Sequence, residues 1–269
     1  MEKVKVIIWG LGAMGGGMAD MLLKKEGVEI VGAVGRGAKI GKSMFDYIKT
    51  EKGDRKDVII GSYEDVIKPG AADIVLLCTD SFTRNAYDKL VYIMEQGIGI
   101  SVEEFKERKA NHTMSGHVGF AESVGMMAEG MGLEVAEFAQ DMNPITTDVD
   151  RKSPYGFAAA GSCAGVAMTA EAKLSNGIPV HMDHPQQIEP EQVGVQTGDY
   201  VIIKGTPNVN LCNSPEIEGG LGTIAMCVNM IPMVINAEAG LKTMIDLPIP
   251  RAIMGDFRNL IKEEKKIVK

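Results

Sequence analysis

Residues 10–15 read Gly10-Leu11-Gly12-Ala13-Met14-Gly15, a GxGxxG spacing. Its setting makes it constraining. Val4–Trp9 (VKVIIW) ahead of it is an almost wholly apolar run, the pattern of a strand buried on both faces in a parallel sheet. Behind it, Met18, Met21 and Leu22 follow at helical spacing until Glu26-Gly27, which reads as a C-terminal stop. In such a strand–turn–helix unit the first glycine permits a tight turn. The second lets backbone approach a pyrophosphate, and the third lets helix and strand pack closely. The helix N-terminus then faces the phosphates. A glycine-rich turn holding no ligand is the competing reading. Gly16 and Gly17 extend the run at a cost in helix stability, which implies close approach of another element.

The alternation continues. Val28–Val34 reads as a second strand, Ala38–Tyr47 as helical by composition, and Val58–Ile60 as a short third strand. Ser62-Tyr63-Glu64-Asp65 resembles a capping box, and Pro69-Gly70 closes the short helix it opens. Asp73–Cys78 is another buried strand, and Ser81–Gln96 a helix ending at Gly97. This predicts a Rossmann-type, doubly wound parallel sheet over residues 1–98. After Gly97 the pattern changes. Ser101 opens a charged helix to about Lys109, and a Met-rich helix covers Gly119–Met131. Strand-like runs follow at Leu133–Phe138, Gly165–Lys173, Tyr200–Lys204 and Asn208–Cys212. Gly222–Val234 reads as an apolar helix whose end is limited by Pro232, and the basic tail from Lys262 reads as frayed. Residues 99–269 are therefore expected to form an α+β substrate and dimerisation domain with a mixed or antiparallel sheet. Part of the C-terminal segment would complete the first domain.

Composition narrows the partners. The chain has 269 residues with 28 basic and 36 acidic side chains, a net charge of −8. That argues against nucleic acid or an anionic membrane as partner. No run of 18 apolar residues predicts a membrane span, and Met1–Trp9 lacks the long apolar core of a signal peptide. Cys78, Cys163, Cys212 and Cys227 are far apart with no CxxC spacing, so neither a disulfide framework nor a structural metal site is expected. A reducing cytoplasm is the default compartment. Glycine supplies 32 residues, aromatics only 5% and Met 18, so aliphatics and Met must fill the core.

Several residues are candidates for chemistry. Sites for NAD usually carry an acid about 20 residues past the fingerprint, on the ribose hydroxyl. Here the second strand runs into Gly35-Arg36-Gly37, followed by Lys39 and Lys42. A guanidinium at Arg36 suits a 2′-phosphate and adenine stacking, which leans the cofactor toward NADP or dual use; a solvated basic loop is the alternative. Cys78 and Thr79 lie where the fourth strand runs out, the edge a dinucleotide crosses, although Ser81 serves equally as a helix cap and Cys78 as a packing residue. His181-Met182-Asp183-His184 has the residue types of a metal site but no third partner, so a loop and no metal are expected. His117, among small residues, is the best histidine for substrate contact or proton transfer. Glu103 and Glu104 read as a capping-box face. Gly219-Gly220-Leu221-Gly222-Thr223 offers free amides to an anion or makes a packing turn. Asn229 or Asn236 would hydrogen-bond a nicotinamide amide or substrate, or else backbone.

Taken together, VIIWGLGAMG, EEFKERKANHTMSGHVGFAES, QVGVQTGDYVIIKG and EGGLGTIAMCVNMIPMVINAEAGLKTMIDLPIPRAI resemble the 2,4-diaminopentanoate dehydrogenase family. That family overlaps the native amine dehydrogenases and is distantly related to dihydrodipicolinate reductase. The resemblance covers nearly the whole chain, and its C-terminal segments are more specific than the glycine motif. It implies NAD(P)-dependent oxidative deamination of 2,4-diaminopentanoate to 2-amino-4-oxopentanoate, as in ornithine fermentation, by a cytoplasmic homodimer built through the second domain. It also implies a diamine or amino-acid substrate as small-molecule partner. On this reading Gly10, Leu11, Gly12, Ala13, Met14, Gly15, Arg36, Cys78, Thr79 and an asparagine at 229 or 236 bind the cofactor, and His117 is the catalytic candidate. Family members carry an additional stretch, and the shortfall here falls near Gln96–Ser101. That stretch would finish the nucleotide-binding sheet and carry the acid that engages the substrate amine. Two other readings compete: a dinucleotide-binding protein without turnover, and an imine reductase resembling dihydrodipicolinate reductase, whose Lys-x-Asp-x-Pro-Ser-Gly-Thr segment is absent here.

Overall fold

A computed structural model describes residues 2–79, 97–114, 119–153 and 156–265. The chain forms two compact units, Met1–Thr83 with Ile217–Lys269, and Arg84–Glu216.

The first unit is built on a parallel sheet of order β3-β2-β1-β4. Its strands are β1 (Val4–Trp9), β2 (Val28–Val34), β3 (Ile60–Gly61) and β4 (Ile74–Leu77). Val6 and Ile8 of β1 and Ala33 of β2 are fully buried, as the apolar runs require. Helix α1 (Ala13–Leu22) follows β1, and the single-turn α2 (Tyr63–Val66) follows β3. The expected helix over Ala38–Tyr47 is instead two 3₁₀ turns, Gly37–Lys39 and Met44–Tyr47. Gly41 between them has φ +81°, which breaks any helix, and the Ser43 hydroxyl caps the second turn by accepting from Phe45 N–H. Among the described residues β4 pairs only with β1, and Val75 and Leu77 on it are 38% and 68% exposed.

The C-terminal part of this unit supplies its longest helix, Gly219–Asn236. Pro232 lies inside that helix and does not end it. By length and composition it is the one described helix that would span a membrane. Part of it packs in the unit's core, with Val228 and Ile231 fully buried beside Met18, Leu22 and Phe257, while Leu221, Met226 and Val234 are exposed.

The second unit carries helices α3 (Val102–Ala110) and α4 (Phe120–Gly130) and an antiparallel sheet of order β5-β8-β9. Its long strands are β5 (Val135–Thr146), β8 (Cys163–Leu174) and β9 (Pro179–Gln187). Short strands β6 (Arg151–Lys152) and β7 (Phe157–Ala158) pair with each other, and β10 (Asp199–Ile203) with β11 (Val209–Asn213) forms a separate hairpin. Alternation on β8 sends Val166, Met168, Ala170, Ala172 and Leu174 inward, with Phe105 and Phe120 packed on the upper part of that face. Ser101 caps α3 as expected, its hydroxyl accepting from Glu104 N–H at 3.1 Å. The fold class is thus α/β with a parallel sheet in one unit and antiparallel sheets in the other. The long helix Gly219–Asn236 is called α5 below.

Candidate functional site

The glycine turn sits at the carboxyl ends of three strands. Gly10 N–H donates to Val34 of β2 at 3.0 Å, and Cys78 N–H donates to Trp9 of β1 at 2.7 Å. Each fingerprint glycine has a separate geometric reason. Gly10 has φ +103°, and a Cβ there would stand 2.7 Å from the Cys78 carbonyl oxygen. A Cβ on Gly15 would collide with the Gly10 carbonyl oxygen, 1.9 Å away. A Cβ on Gly12, in contrast, would meet nothing within 4 Å. Gly12 is the N-cap of α1 and offers no side chain to cap it, so the first-turn amides of Ala13, Met14 and Gly15 are open to an external acceptor. Tight packing behind and an open face in front fit a dinucleotide pyrophosphate.

Gly16 and Gly17 do allow close approach. A Cβ on Gly17 would lie 2.3 Å from Ile224 Cδ1 of α5, and one on Gly16 would lie 3.2 Å from the Tyr47 carbonyl oxygen. A Cβ on Gly220 would lie 3.4 Å from Met14 Cε. With Gly220 beside Met14 and Ile224 beside Gly17, α5 runs parallel to α1. Both helix N-termini, with their positive dipole ends, therefore point the same way. The sequence reads Gly219–Thr223 as a turn ahead of an apolar helix, with free amides for an anion or a packing role. It is the first turn of α5, where Gly222 N–H already donates to Glu218.

The loop after β2 adds charge. The Arg36 side chain is exposed and makes no ion pair or hydrogen bond among the described residues, while its carbonyl accepts from Lys39 N–H at 3.4 Å. Lys39 reaches back to donate to the Leu11 carbonyl at 2.7 Å, with its ammonium 4.7 Å from the Tyr47 ring centroid. The sequence offered Lys39 only as part of a basic loop; its contact with the glycine turn depends on the Gly37–Lys39 turn folding it inward. Trp9, the last residue of β1, stacks on Tyr63 with ring centroids 5.8 Å apart, a pairing sequence reasoning also missed.

Thr79 and Cys78 lie beside the turn. Cys78 Sγ contacts Met18 Sδ at 3.5 Å. Burial pushes its thiol up to about 11, and Cys227 adds in the same direction. It is a packing thiol against α1, not an activated nucleophile.

Asn229 and Asn236 act as staples. Asn229 Oδ1 accepts from Ile253 N–H at 3.1 Å. Asn236 donates from Nδ2 to the Leu260 carbonyl at 2.7 Å and accepts from Lys262 N–H at 2.9 Å. Each ties α5 to the chain that follows it, so both ends of the Asn236 amide are engaged by backbone.

In the second unit the histidines separate. His181 and His184 lie on strand β9, not in the expected loop, and a three-residue offset on a strand sends them to opposite faces. His181 Nδ1 pairs with Glu171 Oε1 at 2.6 Å, while His184 meets the Phe120 ring edge-on at 6.2 Å. No cluster of three metal-ligating side chains occurs among the described residues. His117 and Ser81 lie outside the described residues.

The model of the 2,4-diaminopentanoate dehydrogenase C-terminal domain family matches residues 85–263. The 2,4-diaminopentanoate dehydrogenase of Acetoanaerobium sticklandii is 52% identical over an alignment of 353 residues that covers 100% of both chains. This chain belongs to the 2,4-diaminopentanoate dehydrogenase family. The 353-residue alignment exceeds the 269 residues of this family member by 84, so the relative carries positions with no counterpart here. A solved amine dehydrogenase from Mycobacterium smegmatis has a TM-score of 0.71 at 19% identity, covering 94% of this chain and 98% of that one. At that identity the match shows a shared fold.

Proposed function

We propose that this family member catalyses the oxidative deamination of 2,4-diaminopentanoate to 2-amino-4-oxopentanoate, with NADP or NAD as hydride acceptor. The full-length identity to a relative bearing that activity in its name carries the reading. The glycine turn supports it, because Gly12 opens the first-turn amides of α1 to a pyrophosphate while Gly10 and Gly15 close the packing behind.

The reaction removes a hydride from the amine-bearing C4 of a neutral amine, so a base must first hold the ammonium proton. A bound nicotinamide supplies the hydride acceptor. Water then hydrolyses the substrate imine, giving the ketone and ammonium. The backbone of Gly10–Gly15 would hold the pyrophosphate, with Thr79 beside the ribose end. Arg36, its side chain exposed at the tip of β2, would take the 2′-phosphate and favour NADP, whereas Lys39 holds the glycine turn through the Leu11 carbonyl. A homodimer and a cytoplasmic setting complete the reading.

The test is absorbance of reduced coenzyme with 2,4-diaminopentanoate. No signal above a protein-free blank refutes it. The unfilled alignment positions favour one alternative, dinucleotide binding without turnover. That alternative requires calorimetric NADP binding together with no measurable deamination.

A further inference from the structure

Tyr63 stacks on Trp9, with the two rings 11° from parallel and their centroids 5.8 Å apart. Tyr63 nevertheless stays 54% exposed, so only one face of its ring is spent. Trp9 is the last residue of β1, and Gly10 of the glycine turn follows it directly. Tyr63 stands two residues past the end of β3. The Ser62 hydroxyl fixes the backbone there, accepting from Asp65 N–H at 3.3 Å and donating to Asp65 Oδ2 at 2.8 Å. A phenol ring stacked on one face and open on the other is a platform for a second planar group.

The platform lies on the same sheet edge as the glycine turn, within one unit. Gly10 N–H donates to Val34 at the end of β2, and Gly35 N–H donates to Gly61 at the end of β3, at 3.0 and 3.1 Å. A Cβ on Gly35 would lie 2.6 Å from Ile60 Cγ2, so the chain leaving β2 is pressed against β3. Arg36 and Tyr63 follow that bonded pair by one and two residues, and both side chains are exposed. From β1 to β3 is two strand spacings, roughly 10 Å. A dinucleotide lies across the carboxyl ends of such strands, with its pyrophosphate at the first strand and its adenosine toward the second and third. The open face of Tyr63 therefore stands at the adenosine end of the glycine turn.

We infer that Tyr63, backed by Trp9, is the stacking platform for the adenine of the coenzyme. This rests on the coenzyme reading above and names the residue that holds the base. A purine has a π-face and stacks on an aromatic ring without needing a hydrogen bond to it. Tyr63 is a binding residue and takes no part in proton or hydride transfer. A tyrosine that only shields Trp9 from water would leave the affinity for adenosine compounds unchanged when removed.

Trp9 is the one tryptophan of the chain, so tryptophan fluorescence reports on this place alone. The unaltered enzyme, Tyr63→Ala and Tyr63→Phe are titrated with AMP and 2′,5′-ADP, the adenosine halves of NAD and NADP, and with nicotinamide mononucleotide. Calorimetry gives each Kd, and melting temperatures are recorded alongside. The adenosine compounds should change Trp9 emission, and nicotinamide mononucleotide should not. Tyr63→Ala should weaken adenosine binding about 5- to 150-fold while moving the nicotinamide mononucleotide Kd less than about twofold. Tyr63→Phe, which keeps the ring face and loses the hydroxyl, should bind as the unaltered enzyme does. Equal weakening of both halves, unchanged adenosine affinity in Tyr63→Ala, or binding of neither adenosine compound to the unaltered enzyme overturns the inference. Should Tyr63→Ala not fold, acrylamide quenching of the unaltered enzyme decides: an adenosine compound must shield Trp9 and nicotinamide mononucleotide must not. Equal shielding by both, or none, overturns it. Because these measurements need no turnover, adenosine binding on Tyr63 in an enzyme that fails to deaminate would refute the substrate reading and leave the platform standing. Deamination by a Tyr63→Ala enzyme of unchanged coenzyme affinity would do the reverse.

Discussion

The Lys39 ammonium donates to the Leu11 carbonyl oxygen at 2.7 Å. Leu11 C=O and Gly12 N–H share one planar trans peptide and point in opposite directions. Holding the carbonyl therefore aims the Gly12 amide, in the turn proposed to hold the pyrophosphate. Lys39 acts on the part common to both coenzymes, whereas the Arg36 side chain stands free at the tip of β2.

The two cations should be separable by kinetics. Lys39→Met is expected to raise KM for NAD and NADP by similar factors, on the order of 10-fold for a lost charged hydrogen bond. Arg36→Ala should raise KM for NADP much more than for NAD. Coenzyme titrations of both variants check this, and equal effects of Arg36→Ala on the two coenzymes would remove the 2′-phosphate assignment.

Glycines 12 and 15 should fail in different ways. Gly15→Ala places a Cβ against the Gly10 carbonyl oxygen and should lower stability by about 1–3 kcal/mol. Gly12→Ala meets no atom within 4 Å and should melt close to the unaltered protein while weakening coenzyme binding. Thermal melts without coenzyme, paired with fluorescence titrations, distinguish the two. A Gly12→Ala protein that binds coenzyme normally would show that this face is not the pyrophosphate site.

Asn236 fastens the chain after α5 through two hydrogen bonds. Asn236→Ala should cost about 1–3 kcal/mol and speed proteolysis near Leu260. Mass spectrometry of a limited digest reads out the cleavage position. If neither stability nor cleavage changes, the staple carries no weight.

Cys78 provides a pH dependence. Its folded value of about 11 lies above the ordinary 9.0. Its contribution to stability is therefore fully present below pH 9 and is lost as pH rises through 11. Melting temperature should fall across that window, and Cys78→Ala should reduce the slope. At pH 8, iodoacetamide should label exposed Cys212 well before Cys78; the reverse order would contradict the burial of the thiol.

Local signals were legible where one element is enough to create them. The strand–turn–helix of the glycine motif, the Ser62 and Ser101 caps and the antiparallel runs of the second half all follow from short-range periodicity or capping chemistry. Ala38–Tyr47 was misread because composition does not reveal that Gly41 takes φ +81°. β9 was misread because His181 and Asp183, facing out, and Pro179 and Pro185 at exposed positions disguise the alternation of a strand.

The sequence by itself determined the fold class, the glycine turn and the family, since these rest on contiguous residues. Tertiary structure decided the rest. Lys39 meets Leu11 across 28 residues, Asn236 meets Leu260 across 24, and Arg151 meets Gln187 across 36. Such partners are chosen by how strands and helices pack, not by spacing along the chain. A buried guanidinium shows only once its surroundings have closed around it, because burial is a property of the folded environment.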